Sequence, residues 1–184
     1  METRTVAITN QKGGVAKTTT AVNLGASLAI LGRKVLLVDL DPQGNMSSWL
    51  GININELTES LYDVFLGKVD ISNIIAGSCT DNLYIAPSNV LLANVERVFA
   101  NETEREKILQ KRLEPIIDHF DYILFDCPPS LGLITLNALT LVKEVIIPLE
   151  TKVLSLNGLI TLINTVRLIK KSLNPCLDIT GIIA

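Results

Sequence analysis

The amino-acid sequence predicts an α/β fold built on a doubly wound, mainly parallel sheet, and three observations carry that prediction. Apolar runs of strand length alternate with longer helical stretches along the 184 residues. A glycine-containing loop joins the first apolar run to the first helical stretch. Hydrophobic residues make up 48% of the chain and the mean hydropathy is +0.39, yet no apolar run reaches the ~18 residues of a membrane span. The richest region, Leu131 to Leu149, is broken by Asn137, Lys143, Glu144 and Pro148. Strands covered on both faces read as continuous apolar runs, so the composition points to a sandwiched sheet. The length suits one domain, residues 1–184, with ample material for a core.

The elements follow in order. Thr5–Thr9 reads as the first strand, and Thr18–Leu31 as a helix stopped by Gly32. Lys34–Leu40 is the second strand, because Val35-Leu36-Leu37-Val38 is an unbroken apolar run. Asp41–Asn45 is a loop, followed by short helices over Met46–Leu50, Leu57–Leu66 and Ile71–Ile75. Asn82–Ala86 is a strand and Val90–Phe99 a helix. Thr103, with Glu106 three residues later, predicts a capping box at the next helix. Leu109, Leu113, Ile116, Ile117 and Phe120 share the inner face of that segment, and Pro115 should kink or divide it. Asp121–Asp126 is a strand, then a helix runs from about Leu131 to Val142, and Glu144–Leu149 is a further strand. Ser155–Lys171 is a helix with a broad apolar face, and Asp178–Ala184 begins another strand.

The charge balance narrows the partners. A net charge of −3 and a pI near 5.2 do not suggest a generic nucleic-acid binder, and DNA contact would require a local basic patch. Arg105, Lys107, Lys111 and Arg112 are interleaved with Glu102, Glu104, Glu106 and Glu114, which reads as a solvated helix face. Arg167, Lys170 and Lys171 cluster at a helix end, where they favour the helix dipole. Cys79, Cys127 and Cys176 are far apart and lack metal-ligand spacing. With no secretory signal visible, they read as reduced thiols of a cytoplasmic protein. His119 reads as a surface or capping residue, and Trp49 is expected to pack beside the Asp41–Asn45 loop.

Three motifs carry chemistry. The first is Asn10-Gln11-Lys12-Gly13-Gly14-Val15-Ala16-Lys17-Thr18-Thr19-Thr20. Strand, glycine loop and helix in this order make a phosphate cradle, since backbone N–H groups and the positive helix end face the polyphosphate. Lys17 then reaches the terminal phosphates, and the Thr18 hydroxyl ligates Mg²⁺. Gln11 and Ala16 stand where the standard loop has glycines. An Ala at position 16 implies a negative φ there. The second motif, Val38-Asp39-Leu40-Asp41-Pro42-Gln43-Gly44-Asn45, places two carboxylates at the carboxyl end of a strand, where open α/β sheets bind ligands. The third, Asp121 to Pro129, is an apolar strand ending in Asp126, which would hold Mg²⁺ through a water.

Together these motifs resemble the ParA/Soj partition ATPases, a branch of the ParA/MinD group of P-loop NTPases. K-G-G-x-x-K-T-T, from Lys12 to Thr19, is similar to that group's deviant phosphate loop, with Ala16 a departure. D-x-D-P-Q-G-N, from Asp39 to Asn45, resembles ParA/Soj more than MinD. The resemblance implies binding of ATP and Mg²⁺ by Lys12, Gly13, Gly14, Val15, Ala16, Lys17, Thr18 and Thr19. It implies a homodimer with ATP, in which Lys12 reaches the partner's phosphates, and slow hydrolysis with Asp41 orienting the attacking water. Asp39 would support the Mg²⁺ shell or the loop, and Cys127-Pro128-Pro129 would be the second switch. A ParB-like protein would stimulate turnover, non-specific DNA would be bound at the nucleoid, and no membrane is involved. Family members usually continue for about a third more of their length. The present chain is therefore expected to lack a C-terminal part, and residues 1–184 alone to bind DNA weakly or not at all. A MinD-like positioning ATPase and a non-catalytic nucleotide-binding module stay open as alternatives.

Overall fold

The computed structural model describes residues 2–151 and 155–184. A seven-stranded sheet has the order β3-β4-β2-β5-β1-β6-β7. The strands are β1 (Arg4–Ile8), β2 (Val35–Asp39), β3 (Ala76–Gly77), β4 (Leu83–Ala86), β5 (Tyr122–Asp126), β6 (Glu144–Pro148) and β7 (Asp178–Ile183). All pairings are parallel except that of the short edge strand β3 with β4. The helices are α1 (Lys17–Ile30), α2 (Asn45–Trp49), α3 (Leu61–Leu66), α4 (Ile71–Ile74), α5 (Val95–Val98), α6 (Ile108–Leu113), α7 (Leu133–Leu141) and α8 (Ser155–Ser172). No described helix is long and apolar enough to cross a membrane.

The continuous apolar runs have the expected cause. In β2, Leu36 and Val38 join the core on one side of the sheet, while Val35 and Leu37 join the core on the other. α1 covers the second side so closely that a Cβ at Gly25 would sit 2.8 Å from Leu37 Cδ2. α6, α7 and α8 supply Leu109, Leu113, Ala138, Leu139, Leu162 and Val166 to the first side.

One expected helix start is overturned. Thr103 caps no helix: Glu104 adopts φ 54°, Arg105–Lys107 wind as a 3-10 turn, and α6 begins only at Ile108. Long-range bonds decide this start. The buried Asn137 accepts from Leu109 N at 2.9 Å and donates to Arg105 O at 2.9 Å, so a side chain of α7 closes the helix end. A capping box forms instead at Ser60 and Asp63, ahead of α3. Pro115 does divide its segment, with α6 ending at Leu113 and a 3-10 turn following at Ile117–His119. β3 has no counterpart in the sequence reading, because two residues give no periodicity.

Candidate functional site

The carboxyl ends of β1, β2 and β5 lie side by side, with Ile8 opposite Asp126 and Asp126 opposite Asp39. The chain leaves β1 into the glycine loop and leaves β2 into the Asp41–Asn45 loop. A cavity of about 610 Å³ opens between them, lined by Gly13, Gly14, Ala16, Lys17, Thr18, Thr19, Asp41 and Gln43 from these two segments. Asn45, Trp49 and Pro129 complete its wall. Two of the three motifs thus supply most of the wall, and the third enters through Pro129, with Asp126 lying behind the wall and bonded to Thr18.

The loop is held from below. Asn10, buried at the end of β1, donates to Pro148 O at 2.7 Å and accepts from Lys12 N at 3.0 Å. Sequence reasoning passed over Asn10, whose partner is 138 residues away. Lys17 is buried and donates from Nζ to Lys12 O at 3.2 Å, and burial lowers its pKa against the pull of Asp126 and Asp41. Lys12 lies with Nζ 2.6 Å from Glu150 Oε2 of its own chain. Val15 is buried and does not line the cavity, so only its backbone belongs to the loop.

Ala16 contradicts the expected negative φ. It adopts φ 63°, ψ 30° and forms the N-cap of α1. It therefore keeps the left-handed conformation for which the standard loop uses glycine. The cause is the path of the chain, which must turn into α1 at this point. Ala16 is exposed, so its methyl group meets no obstruction and only the local ~1–2 kcal/mol cost remains.

Thr18 and Asp126 come together. Thr18 donates from Oγ1 to Asp126 Oδ2 at 2.6 Å. Asp126 is 1% exposed, and its Oδ1 has no hydrogen-bond partner among the described residues. Desolvation pushes its pKa up to about 7, with Asp39 and Asp41 adding to the rise and the Thr18 bond and Lys17 opposing it. A buried carboxylate oxygen without a partner, beside a hydroxyl and a loop lysine, has the oxygen chemistry that suits Mg²⁺.

Asp39 does something else. It is fully buried and does not line the cavity. Its Oδ2 accepts from Ser47 N at 2.9 Å and Ser47 Oγ at 2.6 Å, and its Oδ1 accepts from Asp41 N at 3.2 Å. Burial raises its pKa to about 6 against those bonds. Of the two readings of Asp39, loop support matches this geometry. Asp41 faces the cavity, while its Oδ1 accepts from Gln43 N at 3.0 Å and holds the turn. Cys127 is buried, and desolvation raises its pKa, as expected of a packed thiol. Trp49 does not pack beside the loop: it is 61% exposed and stands at the cavity rim. Ser47, the residue that clamps Asp39, carried no sequence signal.

Fold and site together define the P-loop NTPase class. A family model described as an AAA domain matches residues 3–179. The sporulation initiation inhibitor protein Soj of Bacillus subtilis is 48% identical over 178 residues, spanning 97% of this chain and 70% of that protein. The chromosome-partitioning ATPase Soj of Treponema pallidum is 46% identical over 179 residues, with the same coverage of 97% and 70%. Among solved structures, a cobyrinic acid a,c-diamide synthase from Mycobacterium smegmatis with bound ATP analogue and magnesium superposes with a TM-score of 0.94. It is 40% identical, over 98% of this chain and 73% of that one. The chain belongs to the AAA-domain family and, within it, to the Soj/ParA-type P-loop ATPases. It spans between 57% and 70% of the length of the curated relatives it matches.

Proposed function

We propose that the chain binds ATP with Mg²⁺ in the cavity between the glycine loop and the Asp41–Asn45 loop, and hydrolyses it slowly as a DNA-partition ATPase. The observation that carries this reading is the Thr18 Oγ1–Asp126 Oδ2 contact of 2.6 Å beside the unpartnered Asp126 Oδ1, one loop residue from Lys17. Backbone N–H groups of residues 13–19 cradle the phosphates at the N-terminus of α1. Lys17 neutralises the terminal phosphates. Thr18 and Asp126 hold Mg²⁺, which when bound offsets phosphate charge. Asp41 orients the water that attacks the γ-phosphorus, with ADP as the leaving group. Lys12, now beside Glu150, reaches the phosphates of a second copy in an ATP-dependent homodimer. Such a charge acts on the transition state and makes turnover depend on assembly.

The relatives' names support DNA partition, and a magnesium-bound nucleotide complex of a 40% identical protein supports the ligand. Stimulation by a ParB-like partner belongs to the same reading. Isothermal titration with ATP and Mg²⁺ tests its first step. Lys17→Ala should lose binding by a factor of about 10² or more, since a charge-assisted phosphate contact in a buried site goes with it. Unchanged affinity in a folded Lys17→Ala protein would remove the phosphate-loop assignment.

A further inference from the structure

We propose that residues 88–96 form a strap that positions the Asp41–Asn45 loop and the Cys127-Pro128-Pro129 segment at once, with Ser47, the Ser88 backbone and Glu96 as its positioning groups for hydrolysis. The proposal rests on the ATPase reading for its functional part only.

One end of the strap grips α2, the helix that follows the Asp41–Asn45 loop. Ser88 and Ser47 are fully buried, and Ser88 N donates to Ser47 Oγ at 3.1 Å. Ser47 Oγ in turn donates to Asp39 Oδ2 at 2.6 Å, so the strap is bonded through one hydroxyl to the end of β2. A second contact lies beside it. Gly44, with φ +62°, turns the chain into α2, and a Cβ there would sit 3.2 Å from Ser88 O. Ser88 is therefore met at its N–H by Ser47 of α2 and at its carbonyl by Gly44 of the loop.

The other end grips the helix that follows β5 and Cys127-Pro128-Pro129. α7 begins at Gly132, which has no side chain with which to cap it. Glu96 supplies the cap from a distance: its Oε1 accepts from Leu133 N at 2.8 Å. A methyl group on Gly132 would overlap the Glu96 carboxylate, so glycine is what admits this cap. Between the two ends the strap is anchored. Asn89 caps a 3-10 turn by accepting from Leu91 N at 3.1 Å, and Leu92 and Val95 are fully buried in the core. A shift of α2 is thus carried to α7 through a short anchored segment rather than through the nucleotide.

Amide hydrogen exchange by NMR, on the nucleotide-free 184-residue chain, measures this coupling without any need for activity. Glu96→Ala should raise exchange at Leu133 N–H by about tenfold, and a coupled strap raises it at Ser88 N–H as well. Ser47→Ala should do the reverse, exposing Ser88 directly and Leu133 indirectly. Gly132→Ala, which displaces the carboxylate, should copy Glu96→Ala, and Glu96→Gln should restore protection at both amides. Should Ser47→Ala not fold, the three variants at Glu96 and Gly132 still read the Ser88 amide. Changes confined to the amide next to each substitution would overturn the strap. In single-turnover assays, Glu96→Ala should lower the hydrolysis rate several-fold with ATP affinity within about twofold, and Glu96→Gln should recover the rate. A loss of affinity with an unchanged rate would remove the positioning role. Wild-type protein that fails to bind ATP would sink the ATPase reading and leave the exchange result standing.

Discussion

Asp126→Asn isolates the electrostatics beneath the cavity. Burial raises the Asp126 pKa from 3.8 to about 7. A carboxyl group with a raised native pKa binds its proton more tightly in the folded state. Its stabilising contribution is complete below the unfolded value and is lost as pH rises through the native one. At ~1.36 kcal/mol per tenfold change in proton affinity, the full loss is about 4 kcal/mol, reached near pH 7. The amide cannot ionise, so Asp126→Asn escapes that loss. It keeps an oxygen for Thr18 Oγ1 but turns an NH₂ toward the position where Asp126 Oδ1 has no partner, at a cost of about 1–3 kcal/mol. That cost does not depend on pH. Between pH 5 and pH 8 the stability of the variant relative to wild type should therefore rise by about 3 kcal/mol, whatever its absolute offset. Asp39, with its own raised pKa, adds a similar slope to both proteins and cancels. Urea unfolding at the two pH values measures the change as a midpoint difference of about 1–2 M. A difference constant to within ~0.5 kcal/mol would show that Asp126 is ionised throughout, contrary to the desolvation argument.

Three further outcomes follow from the same geometry. Asp41→Ala should retain ATP binding and lose about 10²-fold or more in turnover, as expected for a group that orients the attacking water; hydrolysis at the wild-type rate would exclude Asp41 from that role. Lys12→Ala should bind ATP yet stay monomeric in light scattering, where wild type doubles in mass with ATP, and equal masses would refute the cross-subunit contact. Ala16→Gly should stabilise the ligand-free protein slightly, by about 0.5 kcal/mol. Relief of the ~1–2 kcal/mol left-handed strain exceeds the added chain entropy, and a clear destabilisation on urea unfolding would contradict the reading of φ 63°.

The sequence revealed those features that depend on neighbours along the chain. Both β2 and β5 are apolar runs that fill two cores, so periodicity located them. The glycine loop, Asp41 and Asp126 were found because each sits at a fixed step from a strand end. What escaped depends on partners far away. Asn10 bonds to a residue 138 positions on, and Asn137 to one 28 positions back, and a polar residue gives no local sign of such a partner. Ala16 failed differently. Its residue type favours negative φ, but the turn into α1 overrides a preference worth only ~1–2 kcal/mol. Trp49 was placed by its position just after the Asp41–Asn45 loop, and that position does not say whether the ring packs down or, as here, stands 61% exposed at the cavity rim.

The charged groups buried beneath the cavity are unfavourable to the protein by themselves, and that cost points to their use. Asp39 and Asp126 are buried side by side at the ends of adjacent strands, both held toward their neutral forms, while burial also weakens the charge on Lys17. A core selected for stability alone would replace such groups with apolar ones. Asp39 has its lone pairs occupied by Ser47 and Asp41 and stays a structural anchor, so its cost is offset locally. Asp126 has one oxygen left over. A divalent cation at that oxygen would favour the ionised carboxylate, and phosphates at the loop would favour the charged lysine. Binding therefore draws on strain already present in the folded chain, and ligand and stability become linked. Saturation at 100-fold the dissociation constant alone adds about 2.7 kcal/mol.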